Sequence, residues 1–353
     1  MELTVHTSEP YRIIIERGCL GRAGGYAAKR FRPGSRTVIV ADSNVAPLYA
    51  KQISRSLKEA GFSAGTFVFP AGEESKRLSS IEKIYGAFAR NRLTRSDFAV
   101  ALGGGVTGDM AGFAAATWLR GIPFVQIPTS LLAQIDSSIG GKTGVDVPEG
   151  KNLVGAFHQP SLVLIDPDTL QTLPPRFFSD GMGEAIKHGC IKSRPLFDFI
   201  KTSDVRTDME RLIAENLKIK RAAVEQDEFD NGERMLLNFG HTFGHALEKL
   251  HGYRGLSHGQ AVGIGMVIMA QCGEKAGLTE PGTAAEIASV LQRYGLPVSD
   301  KEITDPRPII ETAMLDKKAL GGTVRLVMLK KIGESFLYPA DKKRLTELLE
   351  AVL

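Results

Sequence analysis

The first half of the chain alternates short apolar runs with amphipathic stretches, and this alternation restricts the possible folds more than any other feature. Four runs have the length of buried strands, and three stretches between them have helical periodicity. The strand-like runs are 36–42, 66–69, 98–102 and 124–128, and the helical stretches are 47–61, 79–90 and 106–119. Repeated strand–helix units predict a parallel sheet with helices on both faces.

The pattern changes at Pro174 and Pro175. Beyond them the chain consists of long helical stretches, with one strand-like run at Val324–Met328. Consecutive prolines interrupt helices and strands alike, and 353 residues are enough for two hydrophobic cores. The sequence therefore predicts an α/β domain over residues 1–174 and a mainly α-helical domain over residues 175–353.

Composition excludes several classes of function. The net charge of +4 comes from scattered lysines and arginines without a polybasic run, so we expect a small anionic substrate and no nucleic acid. The apolar stretch from Ala261 to Ala270 is too short and too rich in glycine for a membrane span, so we expect no membrane partner. The cysteines Cys19, Cys190 and Cys272 are far apart, and the N-terminus lacks a signal pattern. Both features favour the cytoplasm.

Four of the seven histidines lie within 18 residues, and three of them, His241, His245 and His258, are candidates for one site. His241 and His245 are spaced i, i+4, which puts both imidazoles on one face of a helix, and His258 opens another helical stretch after a loop. With one carboxylate from elsewhere, such histidines form a catalytic zinc site that leaves room for substrate. The alternative is two solvated helix histidines and a third by chance.

A candidate carboxylate lies in the helical stretch Gly181–Gly189, where Glu184 and Lys187 are one turn apart. A solvated surface ion pair at this spacing is common and contributes little to stability. However, glycine and alanine surround the pair, and small residues permit other groups to approach closely. Both interpretations stay open from spacing alone.

A second motif, Gly103-Gly104-Gly105-Val106-Thr107-Gly108-Asp109, follows a predicted strand and opens a predicted helix. It matches G-x-G-x-x-G in the context where a pyrophosphate binds a helix N-terminus, although a plain tight turn is the alternative. No acid follows about 20 residues later to bind a ribose, so Asp42, at the end of an earlier strand, is the candidate.

Cations recur beside glycines farther along the chain. Gly140-Gly141-Lys142-Thr143 resembles part of a P-loop, but Asp136 stands where that motif needs its first glycine. The sequence therefore does not favour a P-loop kinase. Lys142, Lys151 and Arg120 are candidates for binding carboxylate or phosphate, and solvated surface charges are the alternative.

These motifs together resemble the 3-dehydroquinate synthase family, and the resemblance runs nearly end to end. The matching segments are Gly72-Glu73-x-x-Lys76, Gly103 to Asp109, Asp136 to Lys142, Gly150 to Phe157 with Gln159-Pro160, Gly183-Glu184-x-x-Lys187, Leu237 to Ala246, and Asp316-Lys317-Lys318. The resemblance implies a homodimer with a Rossmann-like NAD-binding domain and a helical domain that binds Zn²⁺ or Co²⁺. It also implies a lyase of the shikimate pathway, which converts the sugar phosphate 3-deoxy-D-arabino-heptulosonate 7-phosphate to 3-dehydroquinate and phosphate. The family reaction combines transient oxidation by NAD, phosphate elimination, re-reduction and an intramolecular aldol step.

The resemblance also assigns roles to residues. The implied metal ligands are Glu184, His241 and His258, and His245 resembles the family's proton-transfer histidine. The implied substrate and catalytic residues are Arg120, Asp136, Lys142, Asn152, Lys187, Lys220, Arg234 and Asn238, with Lys317 or Lys318. The implied NAD-binding residues are Asp42, Glu73, Lys76, Gly105, Val106, Gly108, Asp109, Thr129, Ser130, Lys142, Lys151, Thr169 and Thr172.

Three other functions remain as alternatives. A sister sugar phosphate cyclase, such as a 2-deoxy-scyllo-inosose synthase or an amino-dehydroquinate synthase, shares the scaffold but differs toward the substrate's carboxylate end. The residues that favour the shikimate enzyme over these sister cyclases are Lys142, Lys151, Asn152, Arg234 and Asp316-Lys317-Lys318. A metal-dependent alcohol or glycerol dehydrogenase accumulates NADH, which the synthase does not. A non-catalytic NAD-sensing protein does not need these metal ligands and cations.

Overall fold

The computed structural model describes residues 1–252, 255–301, 303, 305–315 and 322–352. They form two compact units, Met1–Pro174 with Lys220–Phe229, and Pro175–Ile219 with Asp230–Leu353. The predicted domains differ from this division by one segment, Lys220–Phe229. Its carboxylates explain the difference: Glu225 accepts the backbone N–H of His6 at 2.8 Å, and Glu228 accepts that of Ser8 at 2.9 Å.

The first unit contains a seven-stranded sheet, four helices and a separate hairpin. Its strands are β1 (Glu2–Val5), β2 (Tyr11–Ile15), β3 (Arg36–Asp42), β4 (Ser63–Phe69), β5 (Phe98–Gly103), β6 (Phe124–Pro128), β7 (Lys142–Val147), β8 (Gly150–Phe157) and β9 (Leu162–Ile165). Its helices are α1 (Ala23–Ala28), α2 (Lys51–Glu59), α3 (Leu78–Arg90) and α4 (Gly105–Thr117). The strand order is β1-β2-β9-β6-β5-β3-β4, with β1 antiparallel to β2 and the other neighbours parallel. The predicted parallel α/β sheet is confirmed.

Both faces of this sheet are covered. In β3, Ile39 and Ala41 belong to one hydrophobic core, whereas Val38 and Val40 belong to another. Successive side chains of a strand point to opposite faces, so a strand between two cores is apolar at every position. This is why the central strands appear in the sequence as continuous apolar runs.

The parallel strands end at one edge of the sheet, and their carboxyl ends carry polar residues and glycines. Asp42 ends β3, Gly103 ends β5, and Thr129 directly follows β6. In open parallel sheets, ligands bind outside the carboxyl ends of the strands. The predicted nucleotide-binding residues at these three positions therefore share the edge at which a ligand is expected.

The hairpin of β7 and β8 was not predicted. The glycines on either side of Lys151, Gly150 and Gly155, are typical of a turn, but Lys151 lies in β8, and Gly144 and Gly155 face each other across the paired strands. A Cβ on Gly155 would lie 2.1 Å from the Thr143 carbonyl oxygen. These glycines therefore permit close contact between the two strands. In the sequence alone, glycines placed for strand contact look the same as glycines placed for a turn.

The second unit is mainly helical, as predicted. Its helices are α5 (Pro175–Lys192), α6 (Arg194–Thr202), α7 (Met209–Gln226, whose last residues belong to the first unit), α8 (His241–Leu250), α9 (His258–Lys275), α10 (Thr283–Arg293), α11 (Arg307–Leu315) and α12 (Lys342–Glu350). The predicted strand at Val324–Met328 lies within β10 (Thr323–Lys331), which pairs antiparallel with β11 (Glu334–Asp341). Pro339 weakens the strand signal of β11, which was missed. Among the described residues, none of the helices combines the length and apolar content needed to cross a bilayer.

Candidate functional site

Three helices of the second unit bring Glu184, His241 and His258 together. Glu184 lies in the middle of α5, and the two histidines are the first residues of α8 and α9. Glu184 Oε1 is 3.5 Å from His241 Nε2 and 3.6 Å from His258 Nε2. One ligand atom from each residue lies within 4.8 Å of the others, so a single metal ion can reach all three. The alternative of solvated histidines is wrong for His241, which is largely buried.

Glycines permit this convergence because the helices approach to backbone contact. A Cβ on Gly183 of α5 would lie 3.1 Å from the Gly259 carbonyl oxygen of α9. A Cβ on Gly265 of α9 would lie 2.1 Å from the carbonyl oxygen of Gly240, which precedes α8 with φ +79°. The small residues that surround Glu184 in the sequence therefore serve helix contact, as one of the two interpretations predicted.

The two imidazoles are oriented through their Nδ1 atoms. His241 Nδ1 is 3.2 Å from the Phe239 carbonyl oxygen, which can only accept, so Nδ1 carries the proton. His258 Nδ1 faces the buried carboxylate of Glu248 at 3.6 Å. Carbonyl or carboxylate partners at one ring nitrogen turn the other nitrogen toward a metal. Both Nε2 atoms accordingly face Glu184.

Electrostatics separate the protonation states of the three groups. Burial alone would raise the pKa of Glu184, but Lys187 and the two imidazoles hold it well below 4.5. Burial and the nearby Lys187 charge hold the pKa of His241 well below 6.5. Burial alone would lower the pKa of His258, but Glu184 and Glu248 raise it to about 10. Without metal, an ionised Glu184 therefore faces a neutral His241 and a protonated His258.

The residues present fit a divalent metal. Glu184 Oε1 is buried and makes no hydrogen bond to any described residue, whereas Oε2 accepts from Lys187 Nζ. The groups facing Oε1 are the two imidazoles, and a metal ion bound among them would give this buried oxygen a direct partner. One carboxylate and two imidazoles are the donors of a catalytic zinc site with an open position. Glu184 and Lys187 are both 1% exposed, so their pairing is not the solvated surface pair considered above.

His245 lies one turn after His241 on α8, as the spacing predicted. Its ring centroid is 5.4 Å from that of His241 and 6.1 Å from that of His258. Unlike its neighbours, His245 is exposed. It is thus available for exchange of protons beside the three-residue cluster.

The glycine motif of the first unit forms the connection between β5 and α4. Gly104 immediately precedes the first turn of α4, and a Cβ on Gly103 would lie 2.4 Å from Thr107 Oγ1. A Cβ on Gly105 would lie 3.1 Å from Ser137 Oγ, and one on Gly108 would lie 2.9 Å from Gln126. Gly103, Gly104 and Gly105 thus contribute no side chain of their own at this helix N-terminus, where backbone N–H groups can bind an anion. Val106, also predicted to bind cofactor, lies in this first turn.

The side chains of three predicted site residues, Lys76, Asp109 and Asn152, are in contact. Lys76 Nζ donates to Asp109 Oδ2 and to Asn152 Oδ1, both at 2.6 Å. Burial alone would lower the pKa of Lys76, but Asp109 and Glu73 raise it, so the ammonium stays charged. Asn152 adopts φ +55° in β8, and its backbone N–H donates to Asp146. The predicted substrate residue Asn152 thus lies among predicted cofactor residues.

The remaining predicted cofactor residues follow the strands of the same edge. Asp42 Oδ1 accepts the backbone N–H groups of Asn44 and Val45. Thr169 and Thr172 lie in the short helical turn after β9, where Tyr49 Oη is 3.3 Å from the Thr169 carbonyl oxygen and also bonds Thr172. The other predicted cofactor residues are Thr129 and Ser130, which follow β6, and Lys151, which lies at the start of β8.

The predicted substrate cations occupy different places. In the first unit, Lys220 forms an ion pair with Asp136, Lys142 begins β7 and is exposed, and Arg120 follows the C-terminus of α4. A helix of 13 residues is about 20 Å long, so Arg120 lies far from the glycine turn at the other end of α4. The structure does not bring Arg120 together with that turn.

In the second unit, Lys187 and Arg234 are each 1% exposed, and Asn238 ends the short helical segment Glu233–Asn238 just before α8. In the sequence, Lys187 lies close to Glu184, and Arg234 lies close to His241. Lys317 and Lys318 lie outside the described residues.

Sequence reasoning missed Glu248. This buried carboxylate faces His258 and is three residues after His245 on α8. An i, i+3 spacing from a predicted site histidine places it on the same helix face, and this signal could have identified it.

Residues 66–180 match the family model "3-dehydroquinate synthase N-terminal", and residues 181–319 match "3-dehydroquinate synthase C-terminal". The chain is 46% identical to the 3-dehydroquinate synthase of Streptococcus pneumoniae (strain ATCC 700669 / Spain 23F-1) over 345 residues, which cover 96% of this chain and 97% of that protein.

Two solved structures resemble the chain over its full fold. One is 2-deoxy-scyllo-inosose synthase complexed with carbaglucose-6-phosphate, NAD⁺ and Co²⁺, with a TM-score of 0.87, 24% identity and 100% of both chains covered. The other is ValA, the 2-epi-5-epi-valiolone synthase from Streptomyces hygroscopicus subsp. jinggangensis 5008 with NAD⁺ and Zn²⁺ bound. Its TM-score is 0.85, with 26% identity and 96% of each chain covered. The fold of this chain is that of sugar phosphate cyclases.

Proposed function

The chain belongs to the 3-dehydroquinate synthase family, and from this premise we propose that it converts 3-deoxy-D-arabino-heptulosonate 7-phosphate to 3-dehydroquinate and phosphate. The enzyme class is a phosphate-eliminating lyase. The observation that carries the proposal is the buried Glu184 Oε1, which faces two imidazole Nε2 atoms at 3.5 and 3.6 Å. A site of this kind has no use in a protein that only binds a nucleotide.

The cofactors of the proposal are NAD and either Zn²⁺ or Co²⁺. Glu184, His241 and His258 would hold the metal, which polarises substrate oxygens and stabilises developing negative charge when bound. The carboxyl edge of the first unit would hold NAD, which supplies reversible hydride transfer and is unchanged after each turnover. Similar folds bind NAD⁺ with Co²⁺ or with Zn²⁺, and this supports both assignments.

The chain's own residues orient the substrate and move protons. His245 is exposed beside the metal ligands, so its imidazole can accept a hydroxyl proton and return one. Lys187 donates to Glu184 Oε2, which leaves Oε1 as the ligand atom. Lys76, kept charged by Asp109 and Glu73, holds the Asn152 side chain beside the proposed cofactor edge. The protein thereby supplies position and charge while the cofactors supply the redox and Lewis-acid chemistry.

In this proposal the predicted lysines and arginines bind the carboxylate and the phosphate of the substrate. Lys187 and Arg234 are almost completely buried, and a buried cation near a binding site favours an anionic ligand. Lys142 is exposed and can meet an anion directly. A substrate with two anionic ends matches this distribution better than a neutral alcohol does.

We further propose a homodimer, with domains at residues 1–174 and 175–353 except for Lys220–Phe229. In this proposal Arg120, about 20 Å from the glycine turn of its own chain, would serve an anion bound by the second copy. The free, buried cysteines Cys19, Cys190 and Cys272 support a cytoplasmic location. Sedimentation with wild-type and Arg120→Glu proteins tests the dimer.

Phosphate release from the heptulosonate phosphate tests the function. We expect release with NAD present, no release after chelation, and recovery with Zn²⁺ or Co²⁺. Absorbance at the NADH maximum should stay flat throughout, because NAD is regenerated. Accumulating NADH would instead identify a dehydrogenase.

A second substrate separates the sister cyclases from the proposed synthase. A hexose 6-phosphate lacks the carboxylate that Arg234 and Lys142 are proposed to hold, so it should release little phosphate. Preference for the hexose phosphate would identify a sister cyclase, and inactivity toward both substrates would contradict an enzymatic role.

A further inference from the structure

One carboxylate of α5 binds both neighbours of His258. Ser257 Oγ donates to Asp180 Oδ1, and the backbone N–H of Gly259 donates to the same oxygen at 3.0 Å. The two donors flank His258 in the chain. The backbone on either side of this histidine is therefore attached to α5.

The attachment lies where α5 and α9 are in direct contact. A Cβ on Gly259 would lie 2.4 Å from the Asp180 carbonyl oxygen, so the two backbones touch. Asp180 precedes Glu184 by four residues, which is one turn of the same helix. One helix thus carries a proposed metal ligand and the carboxylate that fixes the segment of another ligand.

The first turn of α9 divides its hydrogen bonds between local and distant partners. Ser257 N–H donates to Gln260 Oε1 within the turn at 3.0 Å, whereas Gly259 N–H donates to Asp180. A local cap orients only its own helix end, but a bond to another helix also sets the distance between the two. The position of His258 relative to Glu184 therefore depends on Asp180.

We propose that Asp180 is a positioning residue that holds His258 in register with Glu184 for metal binding. The inference rests on the proposed metal triad and extends it by one residue. Without the carboxylate, Ser257 and Gly259 lose their shared anchor, and the His258 imidazole gains freedom that metal binding must then remove. Loss of a supporting partner of a metal ligand typically weakens metal binding about 10–100-fold.

The test measures the Zn²⁺ dissociation constant of the purified full-length protein by competition with a fluorescent chelator. Asp180→Ala should bind Zn²⁺ about 10–100-fold more weakly than wild type. Asp180→Asn should bind within about threefold of wild type, because its side-chain oxygen can still accept both hydrogen bonds. The visible spectrum of bound Co²⁺ should change in Asp180→Ala and be preserved in Asp180→Asn.

Asp341→Ala is the matched control. Asp341 Oδ1 accepts the N–H of Arg344 at the start of α12, and α12 contacts the far end of α9 through Leu348 and Cys272. Its loss should lower the melting temperature without changing the affinity for Zn²⁺. An equal loss of Zn²⁺ affinity in Asp341→Ala and Asp180→Ala would show general destabilisation and overturn the inference.

The outcomes separate this inference from the proposed function. If wild type bound no Zn²⁺, or His241→Ala bound it as tightly, the metal triad itself would be wrong. If the triad held and Asp180→Ala kept wild-type affinity, only the role of Asp180 would be wrong. Should Asp180→Ala fail to fold, Ser257→Ala removes one of the two hydrogen bonds, and unchanged Zn²⁺ affinity in that variant would contradict the inference.

Discussion

The glycine turn between β5 and α4 and the cluster of Glu184, His241 and His258 are built in opposite ways. The turn consists of consecutive residues, and the groups it presents are backbone N–H groups. The cluster consists of side chains from three helices, separated by up to 74 residues in the sequence. The turn therefore depends on the absence of side chains, whereas the cluster depends on the identity of each side chain.

The two regions should consequently fail in different ways. An added Cβ damages the turn because it meets neighbouring side chains, such as Thr107 Oγ1 at 2.4 Å from a Cβ on Gly103. A removed side chain damages the cluster because it deletes a ligand and leaves the remaining buried groups without a partner. Variants of the turn should weaken NAD binding and spare the metal, whereas loss of a metal ligand should remove the metal and spare NAD binding.

The largest effect is expected from His241→Ala. This change removes one of three proposed ligands, so tightly bound metal and measurable turnover should both be lost, whereas NAD affinity should be unchanged. Elemental analysis measures the bound metal, and calorimetry measures the affinity for NAD. The control is His251→Ala, because His251 lies at the end of α8 and pairs with Asp300 at 2.6 Å, away from the cluster. Full metal occupancy in His241→Ala would refute the ligand assignment.

His245→Ala should lower turnover by roughly 10²–10⁴-fold, the usual contribution of a positioned general acid–base. Metal and NAD should both stay bound, since three ligands are present without His245. Steady-state kinetics with elemental analysis measure this. A ligand atom of His245 lies within 4.8 Å of Glu248 and His258 ligand atoms, so metal loss equal to that of His241→Ala would make His245 a ligand instead.

Gly105→Val should weaken NAD binding by roughly tenfold or more, since overpacking commonly costs about 1–3 kcal/mol. Even a Cβ at this position lies 3.1 Å from Ser137 Oγ. Metal content should be normal. Gly25→Ala is the control, because no atom lies within 4 Å of its added Cβ. Unchanged NAD affinity of Gly105→Val by calorimetry would make the turn purely structural.

The smallest effect is the number of protons released when the metal binds. Since His258 has a pKa of about 10 without metal, it is protonated at pH 7.5, and metal binding at Nε2 must displace that proton. Calorimetry in buffers of different ionisation enthalpy should detect about one proton released per ion. Glu184, with its lowered pKa, and the neutral His241 should release none. Release near zero would contradict this protonation state.

The same raised pKa predicts the pH dependence of the metal-free protein. The interactions of protonated His258 stabilise the folded protein. This stabilisation is fully present below the ordinary histidine pKa of 6.5 and is lost as the pH rises toward about 10. Denaturant midpoints between pH 6.5 and 10 should fall in wild type and fall less in His258→Ala. Parallel curves for the two proteins would assign the loss to other groups.

Local patterns predicted much of the fold. The apolar runs of β3, β5 and β6, the helix after the glycine turn and the shared face of His241 and His245 all follow from spacing within a few residues. The β7–β8 hairpin and β11 were missed because their glycines and Pro339 resemble turn signals, although strand contact explains the glycines.

By itself the sequence determined the alternation of strands and helices from β3 to β6, the glycine-rich N-terminus of α4 and the pair of histidines one turn apart. Each depends on backbone preferences or helical periodicity, which neighbouring residues set. The family resemblance implied that Glu184 meets the histidines, but local spacing left this open. Only the tertiary structure decided that Glu248 faces His258 and that Asp180 binds the residues on either side of it. These contacts join helices distant in the chain, and they form because Gly183, Gly259 and Gly265 let backbones touch. Close approach of distant segments is a property of packing, and no local spacing encodes it.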